Sequence, residues 1–205
     1  MIYNKMVVAL LAAGCSAVFV CNDADFAYCL SAAHCVKGET DVATFQGKQF
    51  GVRWIFVDKR HDLAVGKAFA ANLPPLEPTI ADGQRGPVDV VGFPNRQLAV
   101  RRADLEPDGL PADGADKQAL ILAPPLVGGT SGGGVFQDGS LVGIATHSDC
   151  RGGRCTTSED LKAAAVSGGL DLNPTSLSQR DLLMSLIGAA IWHWWSSRKG
   201  KPSTP

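Results

Sequence analysis

The chain has 205 residues, 45% of them apolar, with 23 glycines, six cysteines and a net charge of −1. Length and composition of this kind belong to a globular protein of one or two small domains. The near balance of charge leaves no basic excess, so nucleic acid is not an expected partner.

Residues 6–11 form an apolar run, Gly14 follows, and residues 15–21 form a second run. The pair reads as two strands joined by a turn at Gly14. With Lys5 ahead of it and Gly14-Cys15 behind, the first run also has the outline of a short lipoprotein-like leader. The strand reading is preferred, because losing these residues would leave an open edge in the sheet they complete. Further strand candidates are residues 42–45, 50–57 and 63–66, with Gln46-Gly47 as the turn between the first two. Pro74-Pro75, Pro78 and Asp82-Gly83 mark an extended connection between two halves.

The second half offers strands at residues 88–92, 98–101, 119–123, 134–136 and 141–146, the last two flanking Asp138-Gly139, a strong hairpin signal. Short Val-, Ile- and Ala-rich runs separated by glycine turns point to a mainly β chain. Residues 157–166 read as a capped short helix or as an irregular strand. Residues 178–197 place Leu183, Ile187, Ala190, Ile191 and Trp194 at helical spacing. This helix either packs on the second half or makes peripheral membrane contact through Trp192, Trp194 and Trp195 beside Arg198, Lys199 and Lys201. Its apolar stretch is too short to span a bilayer.

Three stretches carry chemistry. In Gly129-Thr130-Ser131-Gly132-Gly133 the glycines permit a tight bend that leaves backbone N–H groups facing outward, the setting a serine nucleophile needs. A serine hydroxyl also needs a base, and an imidazole base needs a carboxylate to fix its tautomer. Ser31-Ala32-Ala33-His34-Cys35 supplies the first and His61-Asp62-Leu63-Ala64-Val65 the second. His61 itself reads as an exposed loop histidine, and His147 and His193 remain as other candidate bases.

The order His34, Asp62, Ser131 and the residues around each resemble the chymotrypsin-like (trypsin-fold) serine peptidases, nearest to the bacterial streptogrisin and HtrA types. The resemblance covers residues 5–147. It implies an all-β fold of two packed six-stranded antiparallel β-barrels with a C-terminal helix. The corresponding division is a first barrel over 1–72, a linker over 73–86, a second barrel over 87–174, a helix over 175–199 and a disordered tail over 200–205. It also implies a serine endopeptidase acting through an acyl-enzyme, with Ser131 as nucleophile, His34 as base and Asp62 as its orienting carboxylate. The oxyanion donors would be the amides of Gly129 and Ser131, with no metal or organic cofactor.

By the same resemblance Pro125, Thr146, His147 and Ser148 line the primary pocket, and the uncharged Pro125 implies an uncharged side chain in the protein or peptide substrate. Residues 144–148 are the edge to which that substrate would add as a strand. Thr130 stands where trypsin-like zymogens carry an aspartate, so activation by a freed N-terminus is not expected. A catalytically silent, peptide-binding relative is the alternative. A lipase-type hydrolase is disfavoured by the order of the three residues.

The cysteines add a register argument. Opposed residues in an antiparallel hairpin have a constant sum of positions, and Cys15 with Cys35 and Cys21 with Cys29 satisfy one register on one face. The interval from Cys15 to Cys35 also resembles that of the bridge beside the histidine in streptogrisin-like peptidases. Cys150 and Cys155 enclose Arg-Gly-Gly-Arg, a turn sequence that would bring their thiols together. The competing reading is six unrelated buried thiols, and the absence of C-x-x-C or Cys/His ligand spacing disfavours metal. Three bridges would imply an oxidising compartment, the cell envelope or outside.

Overall fold

In the computed structural model, residues 7–22, 25–69, 79–106, 120–123, 126–149 and 152–170 are described. They belong to one compact unit, Met1–Leu170. The predicted helix over 175–199, the tail beyond it, Pro125 and Cys150 lie outside the described residues.

Six strands close the first barrel: β1 (Val7–Leu11), β2 (Ser16–Asn22), β3 (Phe26–Ser31), β4 (Thr40–Phe45), β5 (Lys48–Asp58) and β6 (Leu63–Phe69), in the order β1-β2-β3-β6-β5-β4. Apolar and β-branched residues favour strands because they pack well on a pleated, half-buried surface. Alternation then decides which side chains turn inward. On β5, Val52 and Trp54 face the core while Arg53 and Ile55 face out. The turns are chemically specified. Gly14 carries a φ of 83° between β1 and β2, and Gln46-Gly47 carries 48° and 74° between β4 and β5. Two successive positive φ values are what a two-residue hairpin turn requires. The core is Leu11, Phe19, Val52 and Trp54 among small residues, and Gly66 is the price of that filling: a Cβ there would stand 2.6 Å from the Val52 side chain.

The second barrel contains β7 (Gly86–Gly92), β8 (Ala99–Glu106), β9 (Leu120–Ala123), β10 (Gly134–Gln137), β11 (Ser140–Asp149) and β12 (Gly152–Cys155). Its order, β7-β8-β9-β12-β11-β10, repeats that of the first barrel strand for strand. Asp138-Gly139 makes the expected hairpin, with φ values of 50° and 83°. The core is Val88, Val90, Ala103, Leu105, Val135 and Val142, valine-rich and without an aromatic ring, where the first barrel combines Phe19 and Trp54 with many alanines.

After β12, the chain forms α1 (Ser158–Ser167), which settles the choice between helix and irregular strand. Thr157 caps it by accepting the Asp160 N–H on its hydroxyl. The helix packs on β5, β6 and β11, with Gly168 against Val65. Asp82, in the connection between the barrels, accepts hydrogen bonds from Ser158 Oγ and Lys162 Nζ of the same helix. No helix of the described residues is long and apolar enough to cross a membrane.

The cysteines require a correction. Cys15 and Cys35 are bridged, with Cα atoms 6.0 Å apart. Cys35 lies in the 3-10 turn Ala33–Cys35 beyond the end of β3, so the bridge is not the cross-strand pair expected. Cys21 is not bridged to Cys29. The strands pair Phe19 with Cys29 and, after a bulge, Cys21 with Tyr28, which turns Cys29 into the core and Cys21 away from it. Burial lifts the Cys29 thiol to about 12. Cys155 is likewise a buried thiol, with burial raising its pKa further still. Asp149 already pairs with Gly152, so Cys155 sits three residues down β12 opposite Ala145.

Candidate active site

His34 occupies the middle of the 3-10 turn Ala33–Cys35 in the connection from β3 to β4. Asp62 ends the connection from β5 to β6, and its placement has a local cause. Asp58 Oδ1 accepts the N–H groups of Arg60 and His61, which folds residues 58–61 into a tight turn. Asp62 then adopts a left-handed φ of 55°, a conformation aspartate tolerates better than most residues.

The result is a two-point contact with the histidine. Asp62 Oδ2 lies 2.9 Å from His34 Nδ1, and Asp62 Oδ1 accepts the His34 backbone N–H at 2.9 Å. The Ala33 N–H adds a third bond, to the Asp62 carbonyl. Asp62 is 14% exposed and His34 46%, so the carboxylate is shielded while the far edge of the ring is open to solvent. An acceptor at Nδ1 holds the proton there and leaves Nε2 as the basic nitrogen.

Ser131 lies in the loop from β9 to β10. Thr130 N–H bonds to the Val127 carbonyl and closes a four-residue turn, in which Gly129 has a φ of 90°, the value a type II turn demands at its third position. A Cβ on Gly129 would meet the Phe93 carbonyl oxygen at 2.7 Å, and one on Gly132 would meet the Ser16 carbonyl oxygen at 1.9 Å. Only glycine fits either position. The amides of Thr130, Gly132 and Gly133 bond to Val127, Ala145 and Thr130 respectively. Those of Gly129 and Ser131 have no acceptor among the described residues.

The two barrels meet at this loop. The Ser16 N–H donates to the Ser131 carbonyl at 2.7 Å, and Cys35 Sγ lies 3.9 Å from the same oxygen. His34 and Ser131 therefore flank one bridge. The Ser131 hydroxyl donates to the Thr146 carbonyl at 2.7 Å, and no hydrogen bond joins it to His34 among the described residues. Thr130 is buried beside a cavity of about 70 Å³ that it shares with Val90, Gly92 and Leu126.

Of the predicted pocket residues, Thr146 is buried next to Ser131, whereas His147 and Ser148 are exposed. Ser148 Oγ accepts the Leu126 N–H and donates to the Leu126 carbonyl, tying β11 to the start of the loop that carries Ser131. Strand β11 is not a simple edge. It pairs with β12 through Asp149, while its pairing with β10 ends at Ile144. His61 is half-buried rather than an exposed loop residue. It contacts Asp58 through Nδ1, and its Nε2 lies 3.9 Å from Asp160 of α1. Burial alone would raise the Asp58 carboxyl, but the bonds from His61 and Arg60 hold it below its ordinary value. Cys15, His34 and Cys35 form a cluster of metal-ligand type with donor atoms within 4.8 Å of one another. Both sulfurs are consumed in the bridge, so it offers a metal one ligand.

A family model for the trypsin-like peptidase domain matches residues 15–144, the span that holds His34, Asp62 and Ser131. The chain belongs to this family. No curated protein sequence matches this trypsin-like chain at a significant level. Among solved structures, it resembles the Rv3671c protease from M. tuberculosis in its active form, with 18% identity, a TM-score of 0.63 and 81% of each chain covered. The inactive form of the Rv3671c protease has 17% identity and a TM-score of 0.61, covering 80% of this chain and 89% of that one. The HtrA-type protease AlgW with a tripeptide has 19% identity and a TM-score of 0.65, over 82% of this chain and 64% of AlgW. At these identities the likeness establishes the shared fold.

The sequence reading missed Ser16. Its only sequence signal is adjacency to a bridged cysteine, whereas its contacts come from segments 77 and 113 residues away.

Proposed function

We propose that the protein is a serine endopeptidase in which Ser131 is the nucleophile, His34 the general base and then acid, and Asp62 the group that orients His34. The observation that carries this reading is the two-point contact of Asp62 with His34 beside a loop whose Gly129 and Ser131 amides lack acceptors among the described residues. The Ser131 hydroxyl turns about its Cα–Cβ bond from the Thr146 carbonyl toward His34 Nε2. As Oγ attacks the scissile carbonyl carbon, its proton passes to Nε2, and the oxyanion takes hydrogen bonds from the two amides. Collapse expels the amine, which leaves with the proton from Nε2. Water, deprotonated by the same nitrogen, then releases the acid and restores Ser131.

The substrate class is protein or peptide, held as an added strand along β11 beyond Ala145, the last residue whose N–H and carbonyl are taken, by Gly133 and Gly132. The uncharged Pro125 supports a preference for an uncharged side chain at the bond cleaved.

A second reading rests on the Ser131–Thr146 bond. A hydroxyl held away from the base suits a catalytically silent module that binds peptides in the same cleft. Labelling with a fluorophosphonate separates the two. One adduct on Ser131 of the wild type, lost in Ser131→Ala and His34→Ala, is expected of the enzyme. A folded wild type that takes no adduct supports the binding module.

A further inference from the structure

Ser16 is fully buried at the start of β2, directly after the bridged Cys15, and each of its polar groups is used. Its N–H donates to the Ser131 carbonyl at 2.7 Å, and its carbonyl accepts the Ser31 hydroxyl at 2.8 Å. Its side chain lies between two segments of the other barrel. Oγ donates to the Gly129 carbonyl at 3.0 Å and accepts the Phe93 N–H at 2.9 Å. One neighbour needs a donor and the other an acceptor, and a hydroxyl is the smallest side-chain group that serves as both. The surroundings are shaped to admit it. A Cβ on Gly92 would stand 3.1 Å from Ser16 Oγ, and one on Gly132 would overlap the Ser16 carbonyl.

We propose that Ser16 is a positioning residue for the oxyanion loop, with its hydroxyl locking the Gly129–Thr130 peptide against the Phe93 backbone. That peptide is held at both ends, its carbonyl by Ser16 and its N–H by Val127. With both ends fixed, Gly129 keeps its positive φ and its own amide stays beside that of Ser131. The hydroxyl belongs to the first barrel and the loop to the second, so Ser16 aligns the loop with the arm that carries the bridge and His34. The inference rests on the peptidase reading.

Ser16→Ala removes the lock and leaves the Gly129 carbonyl and Phe93 N–H facing an apolar methyl. Because the oxyanion exists only in the transition state, kcat is expected to fall about tenfold to a hundredfold, with KM within about threefold. The number of titratable sites per folded molecule should not change. Ser31→Ala deletes an equally buried hydroxyl bonded to Ser16 but not to Gly129, and its kcat should stay within about threefold. A Ser16→Ala enzyme within threefold of wild type overturns the proposal, as does an equal loss of kcat in Ser31→Ala. If Ser16→Ala does not fold, Gly92→Ala sets a methyl 3.1 Å from the same hydroxyl and 3.2 Å from Thr130 of the peptide it holds, and is expected to lower kcat with KM retained. Unchanged kcat there overturns the proposal.

Amide hydrogen exchange supplies a readout that needs no activity. The Phe93 amide is expected to be protected in the wild type and to exchange at least about tenfold faster in Ser16→Ala, while β7 amides hold. That signature in a wild type that hydrolyses nothing overturns the peptidase reading and keeps the lock. A Phe93 amide unprotected in the wild type overturns the lock.

Discussion

The two barrels have the same strand order but contribute to the site in different ways. In each, the connection from the third strand to the fourth carries a candidate group, His34 in the first barrel and Ser131 in the second. The first barrel's part is made of side chains. His34 is held by the Asp62 carboxylate, and the turn before Asp62 is organised by the Asp58 carboxylate. The second barrel's part is made of backbone. Its loop depends on the left-handed conformations of Gly129 and Gly132 and on amides bonded within the loop and to β11. An imidazole is steered by a bond to its ring, whereas an array of N–H donors is steered only by φ and ψ. One barrel should therefore be sensitive to lost polar atoms and the other to added methyl groups.

The largest effect is expected in the first barrel. Asp62→Asn keeps the shape but replaces the acceptor that fixes the ring tautomer, and kcat should fall on the order of 10³- to 10⁴-fold without loss of the folded state. A tenfold loss or less, measured by peptide hydrolysis, would mean that the first barrel's part of the site does not depend on this polar atom. In the second barrel, Gly132→Ala forces a methyl to within 1.9 Å of the Ser16 carbonyl at a φ of 81°. Urea denaturation should show a loss of about 3 kcal/mol or more. Gly128→Ala, with no atom within 4 Å of the added carbon, should cost less than about 1 kcal/mol. Equal losses at the two glycines would mean that the loop is not specified by its backbone.

The smallest effect concerns the turn before Asp62. The Asp58 carboxyl titrates lower in the folded chain than its ordinary value of 3.8. Its contribution to stability is therefore full above about pH 4 and lost as the pH falls through the folded value. Because the carboxylate is partly exposed, the difference between wild type and Asp58→Asn should stay within about 1 kcal/mol at pH 6 and vanish near pH 2. Melting temperatures across that range test it, and a gap that widens toward acid would mean that folding raises the Asp58 carboxyl instead of lowering it.

Much of this molecule could be read locally. Gln46-Gly47 and Asp138-Gly139 specify their hairpins through the positive φ that their residues tolerate, and alternation on β5 selects Val52 and Trp54 for the core. Thr157 before an acidic first turn specifies the start of α1. The candidate residues His34, Asp62 and Ser131 were legible through their neighbours and order, as were Gly129 and the bridge from Cys15 to Cys35. The Cys21–Cys29 pairing was not, because the strands pair Phe19 with Cys29, two positions from the register the cysteines would need, and the bulge beyond Phe19 then puts Cys21 opposite Tyr28 on the other face.

Residues within a few positions of one another were enough to specify ten of the twelve strands, the hairpin turns and the chemical types of the candidate residues, whereas β3 and β12 carry no comparable local signal, and Gly152–Arg154, part of an expected turn, lie in β12 because they pair with β9 and β11. Tertiary structure alone decided that Asp62 reaches both the ring and the amide of His34, that His61 sits between Asp58 and Asp160, and that Ser16 joins Gly129 to Phe93. Those contacts close over 28 to 113 residues of chain, apart from the local one between His61 and Asp58. Their geometry depends on barrel closure and register, where a shift of one residue moves a side chain to the other face of its strand.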